Sequence, residues 1–463
     1  MKQEGRDAAN AGGPMNGGEA ESAGGPMSRR RFCKTAALGL GGFALSAYAG
    51  DRKAWAEEPG PLPPPIVTEN STEICLNSRV SRHSGLGGTA TDQQISNVLW
   101  AAGKAPVMGS FRTIYLKTPN ATYIYHPEDH SLEYYSSDTV SNAFRINYDR
   151  EYDFDAGVSY VLALWASVSL WTGTASQVAS CPQMSDLNFG IASVPGLTDE
   201  LVAVSSDASL PDPITDGRNK LELVLSNLRL RDTFRTDLDL TPEYLSQVLW
   251  AGYGCTAHWT ANWRGGLTVP SWMADYFLTN RVYVVSDRVS RFCNRVGSDL
   301  TTRDHRLELV QDADVREGVR EALPGLPEAP CYVLLCLTEA GLATWYQRLE
   351  TGFVAGGMLL QSGAMGLRCA FKVALSPAQQ ADLQQITQIP GSDYPHALVA
   401  VGHAPADLDG DGDVDTDDFG AFEGCMDGPA AGTGPGCEPA DFDTDTDVDL
   451  ADFSEFQRQF GDG

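Results

Sequence analysis

Two ten-residue stretches, ISNVLWAAGK from position 95 and LSQVLWAGYG from position 245, carry the same order of apolar and polar residues at an offset of 150. In each, the apolar residues fall at i, i+3 and i+4 (Ile95, Val98, Leu99; Leu245, Val248, Leu249), the spacing of a helix that buries one face. Thr91 with Gln94 supplies a capping box before the first helix, and Thr241 followed by Pro242 an N-cap and first-turn proline before the second. Gly103 and Gly254 end them. A second echo, DHSLE from 129 and DHRLE from 304, has an offset of 175. Unequal offsets between shared elements predict one unit present twice, with loops of different length between its parts.

The pattern also predicts the other elements. TIYLKTPNATYIY (113–125) alternates like a hairpin turning at Pro119 and Asn120. Helices are expected over 156–170 and 345–365, and strands over 281–286, 331–338 and 397–401. CYVLLCLT (331–338) is apolar enough to be buried on both faces. Helices and strands are mixed within each half, so an α+β fold is expected for both. Ahead of them, residues 1–27 are rich in Gly, Ala and Glu without periodicity. SRRRFCK (28–34), an apolar run over 35–49 and small-residue sites ending at Ala49 and Ala56 resemble a twin-arginine export signal, with Cys33 where leucine is usual. The run is shorter than the roughly 20 residues a membrane span needs, so cleavage after Ala56 is expected and no span remains in the mature chain. EEPGPLPPPIVTEN (57–70) reads as an extended spacer.

Composition adds one strong asymmetry. The net charge is −28, yet from Pro405 onward 18 acidic residues face one basic residue, Arg458, so about −17 of it lies in the last 59 positions. No basic stripe stands out beyond the N-terminal arginines, which disfavours nucleic-acid binding, so no nucleic-acid partner is expected. The tail is patterned: DLDGDGDVDTDD (407–418) places Asp407, Asp409, Asp411 and Asp418 at loop positions 1, 3, 5 and 12, Asp413 at 7 and glycine at 6. DFDTDTDVDLAD (441–452) repeats this with Asp441, Asp443, Asp445, Asp447 and Asp452, but has Thr446 at the glycine position. Hard oxygen ligands at this spacing are what Ca²⁺ requires. The two loops, each followed by a phenylalanine stripe, resemble a type I dockerin, which implies a calcium-dependent cohesin-like or cell-surface partner. Of ten cysteines, Cys33 lies in the signal, and Cys425 and Cys437 are expected to pair in an oxidising compartment. Cys331 and Cys336 are expected to be core residues on opposite faces of one strand.

Candidate chemistry begins with RDTFR (231–235), where two arginines and a threonine at i, i+2 and i+4 line one side of an extended segment and suit an anion. After it come PSW at 270–272, a small-residue helix and turn ending GLR at 366–368, and HALVAVGHA. With YIYHPEDHSLE (123–133), this order resembles the nitroreductase superfamily of flavin enzymes, in its azoline-dehydrogenase-like branch. The resemblance implies FMN as cofactor. It assigns Arg231, Thr233 and Arg235 to the flavin phosphate and ring edge, Pro270 and Ser271 to a loop packed on the ring, and Gly366 and Leu367 to a turn beside it. In the first unit only Arg82 and Ser84 keep the opening motif. No acid or base is named by the sequence, and His130 and His305 read as structural.

The expected architecture is therefore two tandem nitroreductase-like domains, 75–213 (degenerate) and 214–403, forming an intrachain pseudo-dimer. They follow a signal region (1–56) and a proline-rich linker (57–74), and precede a small helical dockerin-like, EF-hand-like domain (404–463). The expected protein is a monomeric, exported FMN-dependent oxidoreductase of the periplasm, cell surface or exterior, acting on a small molecule. The alternative is a non-catalytic binding or scaffold protein on the same fold.

Overall fold

The computed structural model describes residues 62–461, apart from 80–89, 110, 140–142, 149–152, 171, 176–185, 194–209, 212–213, 215–216, 260–264, 271–275, 297–301 and 339–344. The signal region and the first residues of the spacer lie outside them. Among the described residues no helix is long and apolar enough to cross a membrane.

The first unit contributes α1 (Thr72–Asn77), α2 (Asp92–Gly103), β1 (Arg112–Lys117), β2 (Thr122–His126), β3 (Ser131–Ser136), β4 (Ala143–Tyr148), α3 (Asp153–Ser169), β5 (Thr172–Ala175) and β6 (Asp186–Ser193). The second contributes α4 (Leu221–Asn227), α5 (Pro242–Tyr253), β7 (Cys255–Trp259), β8 (Gly265–Leu267), β9 (Val282–Val285), β10 (Val289–Arg295) and β11 (Arg303–Gln311). Its chain goes on through α6 (Arg316–Ala322), β12 (Cys331–Leu337), α7 (Trp345–Ala364), β13 (Arg368–Lys372), α8 (Pro377–Thr387) and β14 (Tyr394–Gly402). The two related helices are α2 and α5. Thr91 and Gln94 form the capping box of α2, and the Thr241 side chain accepts from the Tyr244 amide at the start of α5.

Each unit builds a six-stranded antiparallel sheet. The orders are β3-β2-β1-β4-β6-β5 and β11-β10-β9-β12-β14-β13, the same strand for strand. The hairpin of β1 and β2 closes at Lys117 opposite Thr122, leaving Pro119 and Asn120 in the turn. All seven residues of β12 are buried. Cys331 faces a large core that runs through both units, and Cys336 a smaller one under α6 and α8.

At the centre, α3 and α7 cross. Every residue of α3 is buried, as an all-round apolar helix requires. A Cβ built on Gly157 would stand 2.4 Å from the Leu349 carbonyl oxygen, and one on Gly352 would stand 2.0 Å from that of Phe154. The contact is reciprocal at an offset of 195, so it defines an internal two-fold relation. Asp155 accepts from the amides of Met108 and Gly109, and Glu350, 195 residues later, from those of Phe277 and Leu278. Ser96 Oγ meets His130 Nε2 at 2.7 Å, and Ser246 Oγ meets His305 Nε2 at 2.7 Å. Both histidines are thus structural.

The proline-rich stretch is not a free spacer from Leu62 onward. Asn97 brackets Ile66 with a donated and an accepted bond, as Gln247 brackets Ile214. Thr72 N donates to Asn219 O and Leu221 N to Asn70 O, tying the two straps together across the two-fold. Proline leaves a chain without ladder donors of its own, and here the partners come from side chains of α2 and α5.

Two predictions follow from this packing. Gly352→Ala should cost roughly 1–3 kcal/mol through overpacking, whereas Gly420→Ala, with nothing within 4 Å of its added Cβ, should gain roughly 0.5–1 kcal/mol; urea unfolding of both variants checks this. Burial, and then the Arg348 cation, lowers the pKa of His396 to about 4. The unfolded state, near 6.5, takes the proton first as pH falls, so this stability is complete above about 6.5 and lost toward 4. His396→Asn should remove a slope worth roughly 3 kcal/mol over that window, measured as the difference between two pH-dependent denaturation series.

Candidate functional site

The segment 231–235 is tied by its backbone to the ends of two paired strands of the second sheet. Its Arg231 amide donates to Cys369 O of β13 at 2.8 Å and its Arg235 amide to His403 O just after β14 at 3.0 Å. The Thr233 hydroxyl accepts from Arg368 at 2.5 Å. Arg235 pairs with Asp237 and donates to the backbone carbonyl of Asp407 at 2.6 Å. Arg368 also reaches Gln459 Oε1 at 2.9 Å, and that oxygen accepts from Ala406 N as well. Arg235 therefore contacts the C-terminal segment directly, whereas the exposed Thr233 is linked to it only through Arg368.

That segment holds two loop-helix units, α9 (Thr416–Cys425) and α10 (Leu450–Gln459). Phe422 and Phe456 are buried between them at a ring distance of 5.3 Å, and Cys425 is disulfide-bonded to Cys437. In the first loop Asp407 accepts from the amides of Gly410 and Gly412, and Asp418 from those of Leu408, Asp409 and Asp415. In the second, Asp441 and Asp452 are wrapped in the same way. Carboxylate oxygens of Asp407, Asp409 and Asp418 converge within 4.8 Å, as do those of Asp441, Asp443 and Asp452 and those of Asp447, Asp449 and Asp452. Asp411 and Asp445 instead accept from loop amides further along. Desolvation, and then the neighbouring carboxylates, raises the pKa of Asp409 and Asp413. One oxygen of Asp447 accepts from Ala430 N, while the other is buried without a hydrogen-bond partner among the described residues. Thr446 occupies its glycine position at φ 77°, a region costly for a β-branched residue.

The first loop touches the second unit directly. Gly366, at φ +70°, approaches Gly412 so closely that a Cβ would overlap the Gly412 carbonyl at 1.4 Å. The hydroxyl of Tyr244 donates to Asp411 O at 2.5 Å, and His403 Nδ1 meets Asp407 Oδ2 at 2.6 Å. Between loop and unit lies a cleft of about 1040 Å³. It is lined by Asn219, Leu228, Arg229, Arg231, Leu359, Gly366 and Leu367 of the second unit and by Asp411, Asp413 and Asp415 of the loop.

The cleft thus unites Arg231, Gly366 and Leu367 of the residues expected from sequence, while Thr233 lines a smaller neighbouring cleft with Arg231 and Arg368. Pro270 lines neither. It follows the carbonyls of Leu267, Thr268 and Val269, all of which accept from the buried guanidinium of Arg79 in the first unit. Arg82, Ser84 and Ser271 lie outside the described residues. Tyr253 is core: it is fully buried and its hydroxyl donates to Glu350. Sequence reasoning missed Arg79, Arg368 and Gln459. The only signal was that Arg368 directly follows the Gly366 turn.

No protein-family profile matches the sequence, and no curated protein matches it. Among solved structures, the chain is similar to a protein assigned as a nitroreductase in Anabaena variabilis, with a TM-score of 0.50 at 11% identity, covering 76% of this chain and 95% of that one. It is also similar to one so assigned in Ralstonia eutropha, with a TM-score of 0.35 at 20% identity, covering 46% of this chain and 96% of that one. The first match spans more of this chain than either six-stranded unit supplies by itself. The fold is that of the nitroreductases.

Gly366→Ala should separate the first loop from the second unit, and limited proteolysis should then release the C-terminal segment at least ten times faster. Thr446→Gly removes a positive-φ penalty of about 1 kcal/mol and should stabilise the second loop, seen as slower amide exchange over 441–449.

Proposed function

We propose that this protein is a flavin-binding oxidoreductase of nitroreductase type, its two units a duplicated pair within one chain and its C-terminal segment a calcium-binding, dockerin-like module. The observation that carries the redox reading is the cleft, which joins Arg231, Gly366 and Leu367 on a nitroreductase fold. Its residues fit FMN by type: Arg229 and Arg231 suit a phosphate, and the leucines among the lining residues suit a flat ring. Bound FMN would supply hydride transfer through N5. Arg231 and Arg229 attract the anionic part of the ligand, and Leu228, Leu359 and Leu367 keep water from its apolar part. The lining carboxylates Asp411, Asp413 and Asp415 oppose an anion until a cation neutralises them, which calcium in the first loop would do. That Thr233 and Arg235 are engaged by Arg368 and the C-terminal segment favours the second reading, a binding or scaffold protein without catalysis.

Calcium binding is supported by the doubled ligand spacing, the converging carboxylates and the partnerless oxygen of Asp447. With the first loop packed on its own chain, an external cohesin-like or cell-surface protein would address the second helix, where Leu450 is 74% exposed. Export by the twin-arginine route agrees with the disulfide between Cys425 and Cys437.

FMN titration followed by flavin fluorescence tests the redox reading. The full chain should bind FMN, and Arg231→Ala should weaken binding at least tenfold, the worth of a charge-assisted contact of about 1.5–3 kcal/mol. A chain that binds no flavin, with or without calcium, leaves the scaffold reading. Chelation should lower the melting temperature of the wild type, and Asp407→Ala, which removes a ligand of the first loop only, should reduce that response.

A further inference from the structure

The internal two-fold brings most positions of one unit against different positions of the other, but near its axis a residue meets its own equivalent. Gly157 meets Gly352, 195 positions later, by the contact described above. Asn70 donates through its side chain to Ser169 O, and Asn219 likewise to Ala364 O, again 195 positions from 169. The same offset relates Asp153 to Arg348, and these two pair with each other. Arg348 Nε donates to Asp153 Oδ2 at 2.7 Å, and a second guanidinium nitrogen contacts the same oxygen. The Asp153 side chain is fully buried and that of Arg348 is 16% exposed.

An isologous pairing of two identical units repeats every contact, and on the axis it sets a residue against itself. Two first units would place Asp153 on Asp153, and two second units Arg348 on Arg348. Either arrangement leaves like charges in contact in a buried place, which costs far more than an exposed repulsion. The glycines at 157 and 352 are identical and discriminate nothing. We infer that the pair of Asp153 with Arg348 makes each unit's interface fit the other unit of this chain and reject a second copy of itself. The interface therefore recognises a partner of opposite charge at one axial position. This inference needs neither flavin nor calcium.

The test uses two full-length variants. Asp153→Arg puts arginine against Arg348, and Arg348→Asp puts aspartate against Asp153. Each alone should lose about 10 °C or more in melting temperature, or come out insoluble, because an uncompensated buried charge is among the most destabilising changes. Co-expressed, the two chains can restore both pairs only by exchanging units. They should yield a soluble dimer of twice the chain mass, melting within a few degrees of wild type, and the double variant Asp153→Arg, Arg348→Asp should return as a monomer with similar stability. Arg348→Met serves as the neutral reference. The inference is overturned if Arg348→Asp is as stable as Arg348→Met, or if the co-expressed chains and the double variant are no better than the single variants. All readouts are mass and melting temperature, so they stand apart from the outcome of flavin titration.

Discussion

The contact on which the rest of this structure depends is the crossing of two helices at Gly157 and Gly352. Each glycine lies where any Cβ would strike the partner helix's backbone. With the backbones this close, the flanking elements come within hydrogen-bond reach: the strap residues Asn70 and Asn219 each cap the C-terminal end of the crossing helix of their own unit, and Asp155 and Glu350 gather the amides that lead into each sheet. A one-methyl change at the crossing acts on all of these at once because interiors are close-packed. The two six-stranded sheets then inherit one order and one large shared core.

The same geometry decides what the candidate site can be. The arginine segment 231–235 is tied by backbone bonds to β13 and to the residue after β14, so what it can do depends on what covers that edge. In this chain the cover is the acidic C-terminal segment, fastened by Gly366 against Gly412 and by Arg235 on the Asp407 carbonyl. A strongly negative module thus sits against a cluster of arginines. Its charge is local, which is why the net charge of −28 says so little about the core.

Much of this was legible in the chain. The paired helices α2 and α5 announced themselves because apolar spacing, cap and stop signal agreed in both copies. The acidic loops were legible because all their carboxylates lie within twelve residues, so no tertiary information is needed. What stayed hidden depends on contacts between distant positions. Gly157 and Gly352 fall inside the helices expected over 156–170 and 345–365, and their role is visible only once the helices cross. The proline-rich strap read as a spacer, since the partner of its Ile66, Asn97, is a side chain on another element. Arg79 gave no signal, because the three carbonyls it holds lie more than 180 positions away. Pro270 was grouped with Arg231 by motif order, whereas the structure sets it beside Arg79 of the other unit.

If the helix crossing makes the two units one cooperative body, differential scanning calorimetry is the most direct measurement. Unfolding of the pair should appear as a single transition whose calorimetric and van't Hoff enthalpies agree, with Gly352→Ala shifting that whole transition down. Two separated transitions, of which the variant moves only one, would contradict the account.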